Sequence, residues 1–143
     1  AMEVNFILIL VCGVIAMVVG MLWYGPLLFG KAFLKANDWP EWETLAPEEK
    51  KIKQKEMGWL YLGQFVFTLI QLYILAHFVQ GWSDAFGIEV AVWLWLGFIA
   101  PTVASNLIWN MTTPKKRLIL FGIIAGYQLV CMIIFGYILS TWA

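Results

Sequence analysis

The stretch Leu118-Ile119-Leu120-Phe121-Gly122-Ile123-Ile124-Ala125-Gly126-Tyr127-Gln128-Leu129-Val130-Cys131-Met132-Ile133-Ile134-Phe135-Gly136-Tyr137-Ile138-Leu139-Ser140-Thr141-Trp142 decides the fold class. It carries no formal charge, and it exceeds the ~20 apolar residues that a helix needs to cross a hydrocarbon core of ~30 Å. Reading back along the chain, residues 4–24, 57–79 and 88–111 have the same character, and the one charged residue inside the four limits is Glu89, near an end. Backbone amides in lipid must be satisfied within the segment, and runs without alternation do not make barrel strands. The expectation is an all-α integral membrane protein: a four-transmembrane-helix bundle forming one domain over residues 1–143, with spans at 4–24, 57–79, 88–111 and 118–142.

Composition agrees, with 62% hydrophobic and 13% charged residues in 143, far from the balance of a soluble domain. Nine Lys+Arg stand against nine Asp+Glu, so no global basic field suits the chain to nucleic acid. The positive residues are nevertheless one-sided. Lys31, Lys35, Lys50, Lys51, Lys53 and Lys55 lie between the first two spans, and Lys115, Lys116 and Arg117 between the last two. The positive-inside rule then puts loops 31–56 and 112–117 in the cytoplasm and both termini outside. Trp23, Tyr24, Trp59, Tyr61 and Trp109 near one set of span ends, and Trp82, Trp93, Tyr137 and Trp142 toward the other, fit an interfacial aromatic belt.

Between the first two spans, Asn37-Asp38-Trp39-Pro40 reads as a turn and Pro47-Glu48-Glu49 as a helix start, since proline is tolerated in a first turn and acidic residues there suit the helix dipole. The second helix then begins near Pro47 and enters the membrane around Met57. The loop thereby gains a short cytoplasmic interfacial helix, whose lysines sit where they meet anionic lipid headgroups.

At the exit of the first span stands Trp23-Tyr24-Gly25-Pro26-Leu27-Leu28-Phe29-Gly30-Lys31. Gly25-Pro26 ends or sharply bends the helix, Trp23 and Tyr24 anchor at the interface, and Phe29-Gly30-Lys31 lies along the membrane surface. The elbow is a structural re-entry or the lip of a cytoplasm-facing pocket. This stretch resembles the W-Y-[GS]-P-x-x-F-G-K signature of a family of small bacterial integral membrane proteins known as "domain of unknown function 1761". Trp95-Leu96-Gly97-Phe98, Ala125-Gly126-Tyr127-Gln128-Leu129 and the segment Gly136 to Trp142 extend the resemblance over the whole chain. It implies four helices in the bacterial inner (plasma) membrane and brings no established activity. Gln128 departs from the family pattern, in which histidine is frequent at that place.

Polar side chains inside the spans are the best functional hint, because each prefers a partner, a cavity or water over lipid. Helical spacing puts Gln64, Thr68 and Gln71 on one face of span two, and Thr102, Ser105, Asn106 and Trp109 on one face of span three. Tyr24, Gln64, Gln71, Ser105, Asn106, Asn110 and Gln128 form the candidate binding cluster, either as interhelical glue or as the polar lining of an intrabundle pocket. His77, near the outer end of span two, has no carboxylate beside it and reads as an interfacial histidine. Ala16-x-x-x-Gly20 and Gly122-x-x-x-Gly126 allow close helix approach. Cys12 and Cys131 sit within spans, and two cysteines with one histidine make no metal site. No suitably spaced carboxylate pair and no recognisable nucleophile with its base is read from the sequence. The expectation is a non-enzymatic, cofactor-free protein in contact with membrane lipids and assembled as a homo-oligomer. It binds a small hydrophobic or lipid-like molecule; the alternative is a small oligomeric transporter or channel.

Overall fold

Asn5 starts the first helix. Its Oδ1 accepts from the amides of Ile7 and Leu8 at 3.1 and 3.3 Å, satisfying two donors that a helix start leaves free. In the computed structural model, which describes residues 4–142, α1 then runs Phe6–Trp23, α2 Gly30–Ala36, α3 Pro47–Gly81, α4 Gly87–Leu94, α5 Ala100–Ile108 and α6 Pro114–Trp142. A single 3-10 turn occupies Trp42–Thr44, and a π-turn at Trp95–Ile99 joins α4 to α5. No strand occurs among the described residues. Among the described residues, four helical units are long and apolar enough to cross a membrane: Phe6–Trp23, Pro47–Gly81, Gly87–Ile108 and Pro114–Trp142.

The helix start at Pro47 is where the sequence places it, with Glu48 and Glu49 in the first turn. That segment is continuous with the second span, and the separate short helix of the first loop is α2. A Schellman motif closes α2: the amide of Trp39 donates to Leu34 O at 2.9 Å and that of Asp38 to Lys35 O at 3.2 Å, with Asp38 at φ 56° where glycine is usual. Lys116 at the start of α6 pairs with the Asp38 carboxylate and ties this loop to the bundle.

The third span is irregular because of Pro101. Proline has no N–H to donate and its ring collides with the carbonyl four residues back, so the preceding turn widens and Ala100 N–H reaches Trp95 O. Thr102 Oγ1 donates to Phe98 O, occupying a carbonyl near the break. The irregular turn, Trp95–Ile99, thus lies immediately before Pro101.

Helix α6 packs against every other helix. Its closest neighbour is α4, where Gly87 and Gly136 lie backbone to backbone: a methyl group on either would collide with the other's carbonyl. Around that contact sits the main core, Ile9, Cys12, Leu72, Leu75, Val90, Cys131 and Phe135 among it. This half is the closed end. Toward the basic loops the packing thins to a small cluster of Ala36, Leu107 and Leu120, with Phe33, Val103, Phe121 and Ile124 beside it. Helix α3 contributes nothing to that cluster, and none of its residues before Thr68 is buried.

Candidate functional site

At the elbow, the chain turns on backbone bonds. Gly30 N–H donates to Gly25 O at 2.9 Å and Phe29 N–H to Trp23 O at 3.0 Å. Gly30 is buried, and a side chain there would strike the carbonyls of Tyr24 and Gly25; one at Gly25 would meet Met21 O. Both glycines are therefore required by close backbone approach. Pro26, Leu27 and Leu28 project from the tip, with Leu27 90% exposed.

The aromatic pair before the turn works inward. Trp23 Nε1 donates to Ile123 O on α6 at 2.9 Å, and its ring lies 4.7 Å from that of Phe29. Tyr24 is half-buried and stands edge-on to Phe33 of α2 at 5.0 Å and Tyr127 of α6 at 5.5 Å. Expected as interfacial anchors, both residues also clamp α1 and α2 onto α6. Tyr127 Oη donates to Ala16 O at 2.6 Å, and Trp95 Nε1, at the π-turn, donates to Ala125 O at 2.9 Å. Carbonyls have two lone pairs, so Ile123 and Ala125 accept these bonds beside their helical ones. Three separated motifs thus converge on residues 123–128 of α6.

The small residues serve that node. Gly20 lies under the Tyr127 hydroxyl and Gly126 under the Trp23 ring, so they make room for aromatic rings where helix-backbone contact was expected. A side chain at Gly122 would point into open space. The glycine pair that brings two backbones together, Gly87 and Gly136, belongs to two other small-x-x-x-small pairs, Gly87 with Ala91 and Gly136 with Ser140, whose second members line the same contact.

The candidate polar cluster divides. Gln71 Nε2 donates to Gln128 Oε1 at 3.3 Å, joining α3 to α6. Gln64 is exposed and pairs within its own helix, its Nε2 meeting Thr68 Oγ1 at 3.2 Å while that hydroxyl donates to Gln64 O at 2.8 Å. Ser105 and Asn106 share one face of α5, as the spacing requires, but that face is exposed, and Asn110, past the end of α5, is exposed too. Ala100, Val103, Ala104 and Leu107, at i, i+3, i+4 and i+7, take the inward side, and the polar residues are turned out by the same periodicity. Asn110 enters an interaction through its backbone carbonyl, which accepts from Arg117 Nη2 at 2.8 Å. His77 is half-buried, edge-on to Tyr73 at 4.7 Å. Cys12 and Cys131 are free and buried, and no group of His, Cys, Asp and Glu among the described residues is arranged to hold a metal.

The family described as "Protein of unknown function (DUF1761)" matches residues 7–140. The chain belongs to this family. No curated protein and no solved structure matches it. In this DUF1761 chain the signature residues Trp23, Tyr24, Gly25, Pro26, Phe29 and Gly30 build the turn, and the last signature residue, Lys31, opens onto a groove of about 330 Å³ lined by Lys31, Ala32, Leu34, Lys35, Trp39 and Glu41. From the sequence, Lys35 entered only as a positive charge of the first loop, Trp39 only as part of a turn, and Glu41 not at all. The signal was the i, i+4 spacing of Lys31 and Lys35, legible once α2 is known to be a helix.

Proposed function

We propose that this is a non-enzymatic multi-pass protein of the bacterial inner (plasma) membrane that binds a lipid-like amphiphile, with the binding surface at the elbow groove and not inside the bundle. The one-sided lysines and arginine favour an arrangement with both termini outside and loops 31–56 and 112–117 in the cytoplasm, which sets the groove at the cytoplasmic headgroup level. The observation that carries the reading is the groove itself. It is lined by two lysines one helical turn apart, by Leu34 and by the exposed Trp39, and the exposed Leu27 and Leu28 of the elbow precede it in the chain. Cationic heads beside apolar surface suit a ligand with an anionic head and hydrocarbon tail. In the candidate cluster, the Gln71–Gln128 bridge acts as interhelical glue.

Two measurements test this. A reporter active outside the cytoplasm, fused after Ala143, is active, and the same reporter near Asn37 is silent; the reverse pattern overturns the orientation. In detergent, the double substitution Lys31→Gln with Lys35→Gln lowers the fraction of protein carrying phospholipid severalfold, and an unchanged fraction overturns the binding site.

A second reading, a small oligomeric transporter or channel, is favoured by one feature. Ser105 and Asn106 are exposed on a span and make no side-chain hydrogen bond among the described residues. In a homo-oligomer with its axis along the membrane normal, each residue faces its own copy at the same depth, and an amide is both donor and acceptor. Asn106→Cys would then form a disulfide-linked dimer in oxidised membranes, and its failure to do so would remove that reading.

A further inference from the structure

The groove at α2 is not uniformly cationic. Asp38, the acid nearest its tryptophan in sequence, is occupied by Lys116. Glu41 lines the groove opposite in charge to Lys31 and Lys35. Its position is fixed from two sides. Its carbonyl accepts from the Thr44 amide at 3.0 Å and from Thr44 Oγ1 at 2.6 Å. Before it, Trp39 is held by the bond to Leu34 O and stands edge-on to Phe33 at 5.6 Å. Two cations, one anion and an exposed indole therefore sit on a framework set by backbone hydrogen bonds.

A purely anionic head would satisfy the lysines and leave the Glu41 carboxylate beside it, where like charge repels. A head that carries phosphate and ammonium together meets all three charges. We infer that the groove selects a phosphate ester bearing a free ammonium, the chemistry of a phosphoethanolamine head: Lys31 and Lys35 take the phosphate, and Glu41 accepts hydrogen bonds from the ammonium. Trp39 adds a ring face to which a cation is attracted. A quaternary ammonium has no N–H for Glu41 and ranks below the primary one. This assignment rests on the elbow groove being the binding surface.

The test is native mass spectrometry of the full chain in detergent. Phosphatidylethanolamine, phosphatidylglycerol and phosphatidylcholine of identical acyl chains are offered in equal amounts, to wild type, to Glu41→Gln and to the double variant Lys31→Gln with Lys35→Gln. Wild type retains phosphatidylethanolamine about threefold over phosphatidylglycerol, the size expected of one solvent-exposed charge pair. Glu41→Gln abolishes that preference and still binds phosphatidylglycerol. A ratio unchanged by Glu41→Gln, with binding still dependent on the lysines, overturns the inference alone; lipid binding indifferent to the lysines overturns the groove reading beneath it. Free phosphoethanolamine separates the two sources of this head chemistry. Failure to displace the lipid at matched concentration assigns the lipid, and displacement assigns a soluble ester.

Discussion

At the closed end, Gly87 and Gly136 let α4 and α6 touch through their backbones, and Leu72, Leu75 and Phe135 fill the space beside them. At the basic end, α3 stands clear, its residues from Lys51 to Leu62 all exposed, and α2, α5 and α6 meet through a small cluster. In lipid there is no hydrophobic drive between apolar helices, so association depends on close packing and on hydrogen bonds between them. The closed end relies on packing. The basic end is held by directional bonds: the elbow's backbone turns, Trp23 to Ile123, and Lys116 to Asp38. One end fixes the bundle, and the other keeps backbone geometry and charge at the surface.

Substitutions break this contrast in graded steps. The largest effect belongs to Gly136→Leu, whose side chain would be driven into Gly87 and Ala91; we expect a loss of about 3 kcal/mol or more by denaturation in mixed micelles, as for severe overpacking. Gly30→Ala follows at about 2 kcal/mol, because its methyl meets main-chain oxygens that cannot rotate away. Tyr127→Phe removes a buried donor to Ala16 O, but that carbonyl keeps its helical partner, so the cost is about 1 kcal/mol. Smallest is Gly63→Ala, in the unpacked part of α3 with open space around it, which stabilises by about 0.5–1 kcal/mol through helix propensity. A destabilising Gly63→Ala would mean that the basic half of α3 is packed after all.

Much of the fold was legible because length and apolarity alone specify a spanning helix. Three of the four runs lie within a few residues of the observed units, the second, 57–79, falls inside Pro47–Gly81, and the helix start read at Pro47 is the start of α3. Helix α2 was hidden because its end lacks the usual glycine, with Asp38 taking the left-handed position. The candidate site was half legible. Periodicity showed correctly that Ser105 and Asn106 share a face, but periodicity does not say whether a face meets a neighbouring helix. Gln71 and Gln128 meet because α3 and α6 cross near their depth, a tertiary fact carried by no local pattern. The motif residues Trp23, Tyr24, Trp95 and Tyr127 lie far apart in sequence, and their convergence on one stretch of α6 follows from the packing.

The division between the halves is tested most directly by nitroxide labels placed singly along α3 from Met57 to Gly81 in bilayers, with oxygen accessibility read at each position. The account predicts uniformly high accessibility from Met57 to Leu62, then dips at Thr68, Leu72, Leu75, Ala76 and Val79, the buried positions of this helix. Dips recurring every three to four residues through Met57 to Leu62 would contradict it.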